Sequence, residues 1–254
     1  MGAAGDMFSA ALLELLSKEE RVAFAEEFNA LGIPGVHMSY EPSVKCGTEG
    51  THVTVTVNGE EEEVTPQEHH DHQHEHHHGH HVTGHGMADI KKIVCEQTSL
   101  SDKVKTDIMN VYQLIAEAES KVHGEPVSEI HFHEVGNMDA IADVTMVCML
   151  IGRLTPDRIL ASPVNTGSGH VHCAHGILPV PAPAVKLLLE GIPSYSNGIE
   201  SELCTPTGAA LIRHFADITL EPPRMSDVIT GRGMGKKDFD VPNCVSVYYG
   251  EEEQ

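Results

Sequence analysis

Between residues 59 and 86 the chain offers almost nothing apolar: four glutamates, Glu60 to Glu63, lead into ten histidines spread from His69 to His85. A stretch that buries so little cannot offset the entropy of being ordered, so its composition predicts a disordered, mobile His-rich loop. The fold must therefore be assembled from the two flanks. The expected division is 1–58 as N-terminal helices and a β-hairpin, 59–86 as the loop, and 87–250 as a mixed helix and strand main domain.

The flanks alternate in period. Leu12, Leu13, Leu15, Leu16, Val22, Phe24 and Phe28 recur at helical spacing over residues 5–31, and Ser17 followed by Glu20 is a capping-box pattern at which two helices meet. Val53, Val55 and Val57 then alternate with His52, Thr54 and Thr56, the period of a strand. An earlier strand, 36–44, pairs with it through a turn at 46–50. Helices are expected over 87–97, 101–122 and 138–153, and beyond them short strands and helices separated by Pro and Gly. No internal repeat is visible. The fold class is α+β (mixed α/β): a short-stranded sheet with packed helices and a β-hairpin. With 254 residues, 4% aromatics and no Trp, the core is expected to be aliphatic.

The formal net charge is −22 with His neutral, which excludes nucleic acid and anionic membrane as main partners and suits a protein that attracts cations, or simply a soluble one. No apolar run reaches about 18 residues, and no basic-then-apolar leader is present, so a cytoplasmic chain is expected. The six cysteines form no C-x-x-C pair and read as reduced, mostly buried, small apolar residues.

Three segments carry metal or anion chemistry. The first is the tract His69, His70, His72, His74, His76, His77, His78, His80, His81 and His85, interspersed with Asp71 and Glu75. Neutral imidazoles are good ligands for nickel, copper and zinc, and the tract alone does not choose among them. A purification tag is normally an unbroken terminal run; this one is internal, broken and mixed with acids. The second is His131-Phe132-His133-Glu134-Val135-Gly136 with Asp139 and Asp143. The two imidazoles share one side of an extended segment, and the two aspartates share one face of the next helix, Asp139 in its first turn. This set suits a divalent metal site or an acid/base pair; the bland reading is a helix start and core histidines. The third is Gly167-Ser168-Gly169 followed by His170, His172 and His175, a glycine turn able to face a phosphate or to be merely a turn. Thr205-Pro206-Thr207-Gly208 caps an apolar helix or holds an anion at its N-terminus. Gly231-Arg232-Gly233-Met234-Gly235-Lys236-Lys237 is either a basic anion site or a flexible solvent turn.

Taken in order, these motifs resemble the LarC family, the nickel-insertion proteins of lactate racemase maturation. Gly5-Asp6-Met7 opening a helix, the His insertion, the His131 to Asp143 segment, Gly167-Ser168-Gly169, Leu178-Pro179-Val180-Pro181, Thr205 to Gly208 and Gly231 to Gly235 carry the resemblance through nearly the whole chain. It implies CTP-dependent insertion of nickel into pyridinium-3,5-bisthiocarboxylic acid mononucleotide, a lyase-type chelatase activity. Asp139, Asp143 and Glu134 are then the expected catalytic acids, and His131, His133 and the tract histidines the expected metal donors. Gly167, Ser168, Gly169, His175, Thr205, Thr207, Gly208 and Arg232 are expected to hold the substrate and its phosphate, and Gly5 and Asp6 to form a structural turn. CTP and a divalent ion are expected on a C-terminal LarC domain, with lactate racemase as a further partner and a homo-oligomer as the assembly. Family members usually begin with a further strand, so one sheet edge is expected to be missing here. The alternative is a non-enzymatic nickel store or metallochaperone, in which the tract does all the work.

Overall fold

The computed structural model describes residues 2–61, 85–132, 135–173 and 176–253. The tract histidines from His69 to His81, together with His133, Glu134 and His175, lie outside the described residues.

The first helix, α1 (Gly5–Leu13), stops just short of α2 (Lys18–Asn29). Ser17 separates them as the sequence predicts: its hydroxyl accepts from Glu20 N–H at 3.3 Å, and Glu20 Oε2 accepts from Ser17 N–H at 2.8 Å. Of the predicted apolar face, Phe24 and Phe28 are buried, but Val22 is exposed. The hairpin of β1 (Val36–Lys45) and β2 (Thr48–Val57) turns more tightly than the expected 46–50 loop. Lys45 already faces Thr48, and both turn residues, Cys46 and Gly47, have positive φ, the two-residue turn whose twist matches its strands.

After the His tract come α3 (Met87–Lys91), a π-helical turn at Lys92–Gln97, and the long α4 (Asp102–His123), capped by the Ser101 hydroxyl. A 3-10 turn at Val127–Glu129 leads to α5 (Met138–Leu154). The remainder is short pieces: β3 (Leu160–Ala161), β4 (Val164–Asn165), β5 (His170–Cys173), β6 (Gly176–Pro179), α6 (Pro183–Leu188), β7 (Ser194–Tyr195), α7 (Pro206–Phe215) and β8 (Asp217–Ile218), then two long strands, β9 (Met225–Met234) and β10 (Cys244–Glu252).

The largest sheet has the order β1-β2-β9-β10, with β2 and β9 parallel and the outer pairs antiparallel. It therefore joins the hairpin that precedes the His tract to strands near the chain's other end. Parallel pairs β3–β8 and β4–β7 and the antiparallel β5–β6 hairpin complete the strands. One cluster of buried side chains runs from Ala3 through Phe24, Val53, Ile108 and Ile141 to Ala209. Most of it is aliphatic, as expected, yet Tyr112, Phe24, Phe28 and Phe132 are its largest fully buried members. Fully burying one such ring stabilises the fold by about 1.5–3 kcal/mol, so the few aromatics matter out of proportion to their number.

The segment from Gly231 to Gly235 is not the flexible solvent turn that its glycines allow. It is the end of β9, laid against α1: a Cβ on Gly231 would come within 2.0 Å of Ala11 O, and one on Gly233 within 1.8 Å of Met7 O. Among the described residues no helix is long and apolar enough to cross a membrane. Of the six cysteines only Cys148 and Cys204 are buried; Cys46 is exposed, which departs from the expected mostly buried set.

Candidate functional site

Three helix ends meet beside residues 2–4. Ala3 pairs with Cys204: its N–H donates to Leu203 O at 2.6 Å, and its carbonyl accepts from Thr205 N–H at 2.9 Å. Leu203 N–H in turn donates to Thr166 O at 3.1 Å, and Gly167 pairs with Glu202. Extended backbone thus carries the starts of α1 and α7 to the Gly167 turn. Close packing requires glycine here, since a Cβ on Gly208 would sit 2.0 Å from Ala3 O and one on Gly5 would sit 2.6 Å from Asp143 Cβ. The last contact brings α5 to the same place.

Asp6, Asp139 and Asp143 gather at that junction. Asp6 Oδ1 accepts from Met7 N–H at 2.8 Å and Asp139 Oδ1 from Ala140 N–H at 2.6 Å, each a first-turn carboxylate at a helix start. Burial pushes the Asp143 carboxyl well above its ordinary pKa, and the neighbouring charges of Asp6 and Asp139 push it further. Burial also raises Asp6, against the Met7 N–H bond and the nearby His52 and Lys236. Tyr112, wholly buried, donates its hydroxyl to Val135 O at 3.0 Å; its phenol is raised well above normal by burial and then by Asp139 and Asp143. Burial first, and then charge repulsion at Asp143, favours keeping a proton on the Asp6 and Asp143 carboxyls, which is the property an acid/base group needs.

Val135, whose carbonyl accepts from Tyr112, also lines a pocket of about 200 Å³. The last turn of α4 lines it with Glu119, Val122 and His123, the segment before α5 with His131, Phe132 and Val135, and the β5–β6 hairpin with Val171, Cys173 and Leu178. The start of α6, Glu202 and Pro206 close it. On α4, His123 Nε2 lies 3.3 Å from Glu119 Oε2, a contact across one helical turn. His131 is exposed and pairs with Gly86. His85, the last tract histidine, is tied to the same turn: its ring lies 2.8 Å from Gly136 O and its carbonyl accepts from Phe132 N–H at 3.2 Å. The end of the His tract is therefore fastened beside the pocket.

The other predicted residues fall in three places. Gly167 and Ser168 adjoin the pocket through Glu202, although the Ser168 hydroxyl already donates to Ile199 O at 2.9 Å. Thr205 caps α7, accepting from Gly208 N–H at 3.2 Å and sharing a hydrogen bond with the Thr207 hydroxyl at 3.0 Å; Pro206 between them lines the pocket. Arg232 stands apart: its N–H donates to Glu14 Oε2 at 2.8 Å, at the end of α1 opposite Asp6, about 12 Å away along the helix. His170 and His172 share the exposed face of β5, as their spacing predicts, while Val171 and Cys173 face the pocket.

Sequence reasoning missed Glu119, His123, Cys173 and Glu202. The i,i+4 spacing of Glu119 and His123 was a visible signal, but a charged last helical turn is ordinary. Nothing local marks Glu202. The buried thiols are poor donors: burial, then Glu202, pushes Cys204 up to about 12, and burial raises Cys148 well above normal, so neither is a thiolate at neutral pH. Among the described residues no three His, Cys, Asp or Glu side chains are grouped to hold a metal by themselves. The expected grouping of His131 with Asp139 and Asp143 is thus not formed by these residues alone; the two aspartates associate with Asp6 instead.

A family model described as nickel insertion protein matches residues 1–254. Several curated relatives bear the name pyridinium-3,5-bisthiocarboxylic acid mononucleotide nickel insertion protein. That of Clostridium kluyveri is 41% identical over 254 residues, covering 100% of this chain and 61% of the relative. That of Akkermansia muciniphila is 37% identical over 255 residues, covering 100% of this chain and 59% of the relative. That of Clostridium acetobutylicum is 44% identical over 169 residues, covering 66% of this chain and 40% of the relative. This chain spans about three fifths of the length of the first two. No solved structure matches it significantly.

Proposed function

The chain belongs to the nickel insertion protein family, and from that premise we propose that it loads nickel and inserts it into pyridinium-3,5-bisthiocarboxylic acid mononucleotide. The observation that carries this reading is the pocket, which brings His131 and His123 to the end of the His tract and to the capped start of α7. Nickel is cargo here, not a resident cofactor. Imidazole and carboxylate oxygen hold a borderline divalent ion loosely enough to release it, and the substrate's sulfur donors, softer than either, draw it away. In this reading the tract from His69 to His85 captures the ion and His131 with His133 passes it on. Asp139 and Asp143, with Glu134, take up or supply protons as ligands exchange. Gly167, Ser168, Gly169, His175 and the Thr205–Gly208 helix start receive the mononucleotide; Arg232, bound through its backbone to Glu14, fits that role less well.

The same proposal includes CTP and a divalent ion on a C-terminal LarC domain, delivery toward lactate racemase, a homo-oligomer and a cytoplasmic site of action. The deciding experiment is nickel transfer to the pincer precursor, measured with and without an added C-terminal domain. Transfer that survives replacement of His69 to His81 by Ser at high nickel, but is lost in His131→Ala, supports insertion. Loss of all nickel handling with the tract alone favours a store or metallochaperone.

A further inference from the structure

We propose that His170 and His172, on the outer face of the β5–β6 hairpin, form a two-imidazole site for a borderline divalent cation such as nickel. The site stands on its own geometry; its use as a resting place for cargo nickel rests on the insertion reading. Strand period comes first. Residues two apart on β5 project from one face, about 6.6 Å apart along the strand, a span that two tilted imidazoles close around one ion. The ladder to β6, and Val180 N–H donating to Gly169 O at 2.9 Å, already hold that backbone, so the two ligands need little further ordering. Availability comes second. Both rings are exposed, and among the described residues neither has a hydrogen-bond or ion-pair partner. This separates them from His123, which faces Glu119, and from His85, whose ring meets Gly136 O. Neighbours come third. Across the ladder stand Pro179 and Ile177, the latter 63% exposed, which neither bond the rings nor compete for the ion. From Ile159 to Val185 the chain carries no charged residue, so no ammonium or guanidinium of this segment repels a cation, while the chain as a whole, at −22, attracts one. Two neutral imidazoles, with the remaining positions left to water, suit nickel, copper or zinc and are poor ligands for magnesium. Val171 and Cys173 line the pocket that His131 also lines, so an ion on the outward pair waits outside that pocket.

The test uses the full chain with His69 to His81 replaced by Ser, so that the tract does not hide a weaker site, and nickel chloride as the probe. Substoichiometric paramagnetic nickel is expected to broaden the imidazole signals of His170 and His172, together with the Ile177 methyls between them and solvent. His170→Asn and His172→Asn are each expected to weaken this binding about tenfold or more with an unchanged melting temperature, since both positions are exposed. His37→Asn, at the single exposed His of β1, is expected to leave it unchanged. His170→Asn combined with Ile177→His puts two imidazoles directly across the ladder, with Cβ atoms about 5 Å apart, and is expected to recover most of the affinity. In the same background, His172→Asn is expected to raise the nickel needed for half-maximal transfer about tenfold; no change there overturns the resting-place role. Broadening that spares this pair, affinity unaltered by either single substitution, displacement by magnesium, or one ion per two chains with a doubled mass each overturns the site. The two readings fail separately. Nickel transfer to the pincer precursor with no ion on the pair removes the site and leaves insertion standing. An ion on the pair with no transfer, even with a C-terminal domain added, removes the activity and leaves the site.

Discussion

Two glycine-rich segments look alike as sequence and differ in the structure. In Gly231-Arg232-Gly233-Met234-Gly235 the glycines are there because atoms are missing from them: α1 lies so close to β9 that no Cβ fits under Ala11 O or Met7 O. Their φ values are not in the left-handed region, so the requirement is space. In Gly167-Ser168-Gly169 both glycines have positive φ, 77° and 84°, so the requirement is backbone shape, and a Cβ on Gly167 would also fall 1.9 Å from Ser201 O. The first segment fastens a helix to the main sheet. The second turns the chain beside the pocket, where Gly167 pairs with Glu202. Glycine content alone does not identify an anion loop; what each glycine faces does.

That contrast can be broken. The largest effect is expected at Gly233: Gly233→Ala must push α1 off the sheet, at a cost of about 3 kcal/mol or more, read as a collapsed melting temperature or no soluble protein. Gly167→Ala follows at about 2–3 kcal/mol, combining left-handed strain with the clash at Ser201 O; urea unfolding measures it, and loss of pyridinium-nucleotide binding should accompany it. Asp143→Asn should act in the opposite direction. Its carboxyl is raised in the folded chain relative to an unfolded value near 3.9, so the folded state holds the extra proton and stability falls as pH rises through the folded pKa. An amide mimics the protonated form. The variant should therefore melt a few °C higher at pH 7, with the gain gone by about pH 4, while nickel transfer drops. Gly169→Ala tests shape without a clash, because the nearest atom to its Cβ is 3.5 Å away; about 1 kcal/mol is expected. The smallest effect belongs to Arg232→Ala, expected to leave nucleotide affinity within about twofold, since Arg232 lies on the helix-packing segment and not at the pocket. A tenfold loss there would restore the anion-loop reading.

Features that depend on neighbours in sequence were the legible ones. The Ser17 capping box, the hairpin, the Ser101 start of α4, the Asp139 first turn and the Thr205 cap all rest on contacts within a few residues, and local pattern reads these well. The shared exposed face of His170 and His172 followed from strand period alone. Illegible were the relations between distant segments. Nothing near Asp6 announces that Asp143 will approach it, since the contact depends on Gly5 and on how α1 crosses α5. Nothing near Glu119 or Glu202 announces a shared pocket. The turn at Cys46 was misjudged because the tighter, positive-φ form requires a non-glycine residue to accept a left-handed backbone, which composition does not favour.

By itself, then, the order of amino acids determined the helices, the hairpin, the cation-attracting charge and the histidines available for an ion, because each follows from local geometry or from side-chain chemistry that needs no partner. Tertiary structure alone decided that Asp6 joins Asp139 and Asp143, that His85 is fastened beside His131, and that Glu119, His123 and Glu202 line one pocket. The physical reason is that burial and close approach are properties of packed surfaces: whether a glycine admits a helix, or a carboxyl keeps its proton, depends on atoms brought near from elsewhere in the chain.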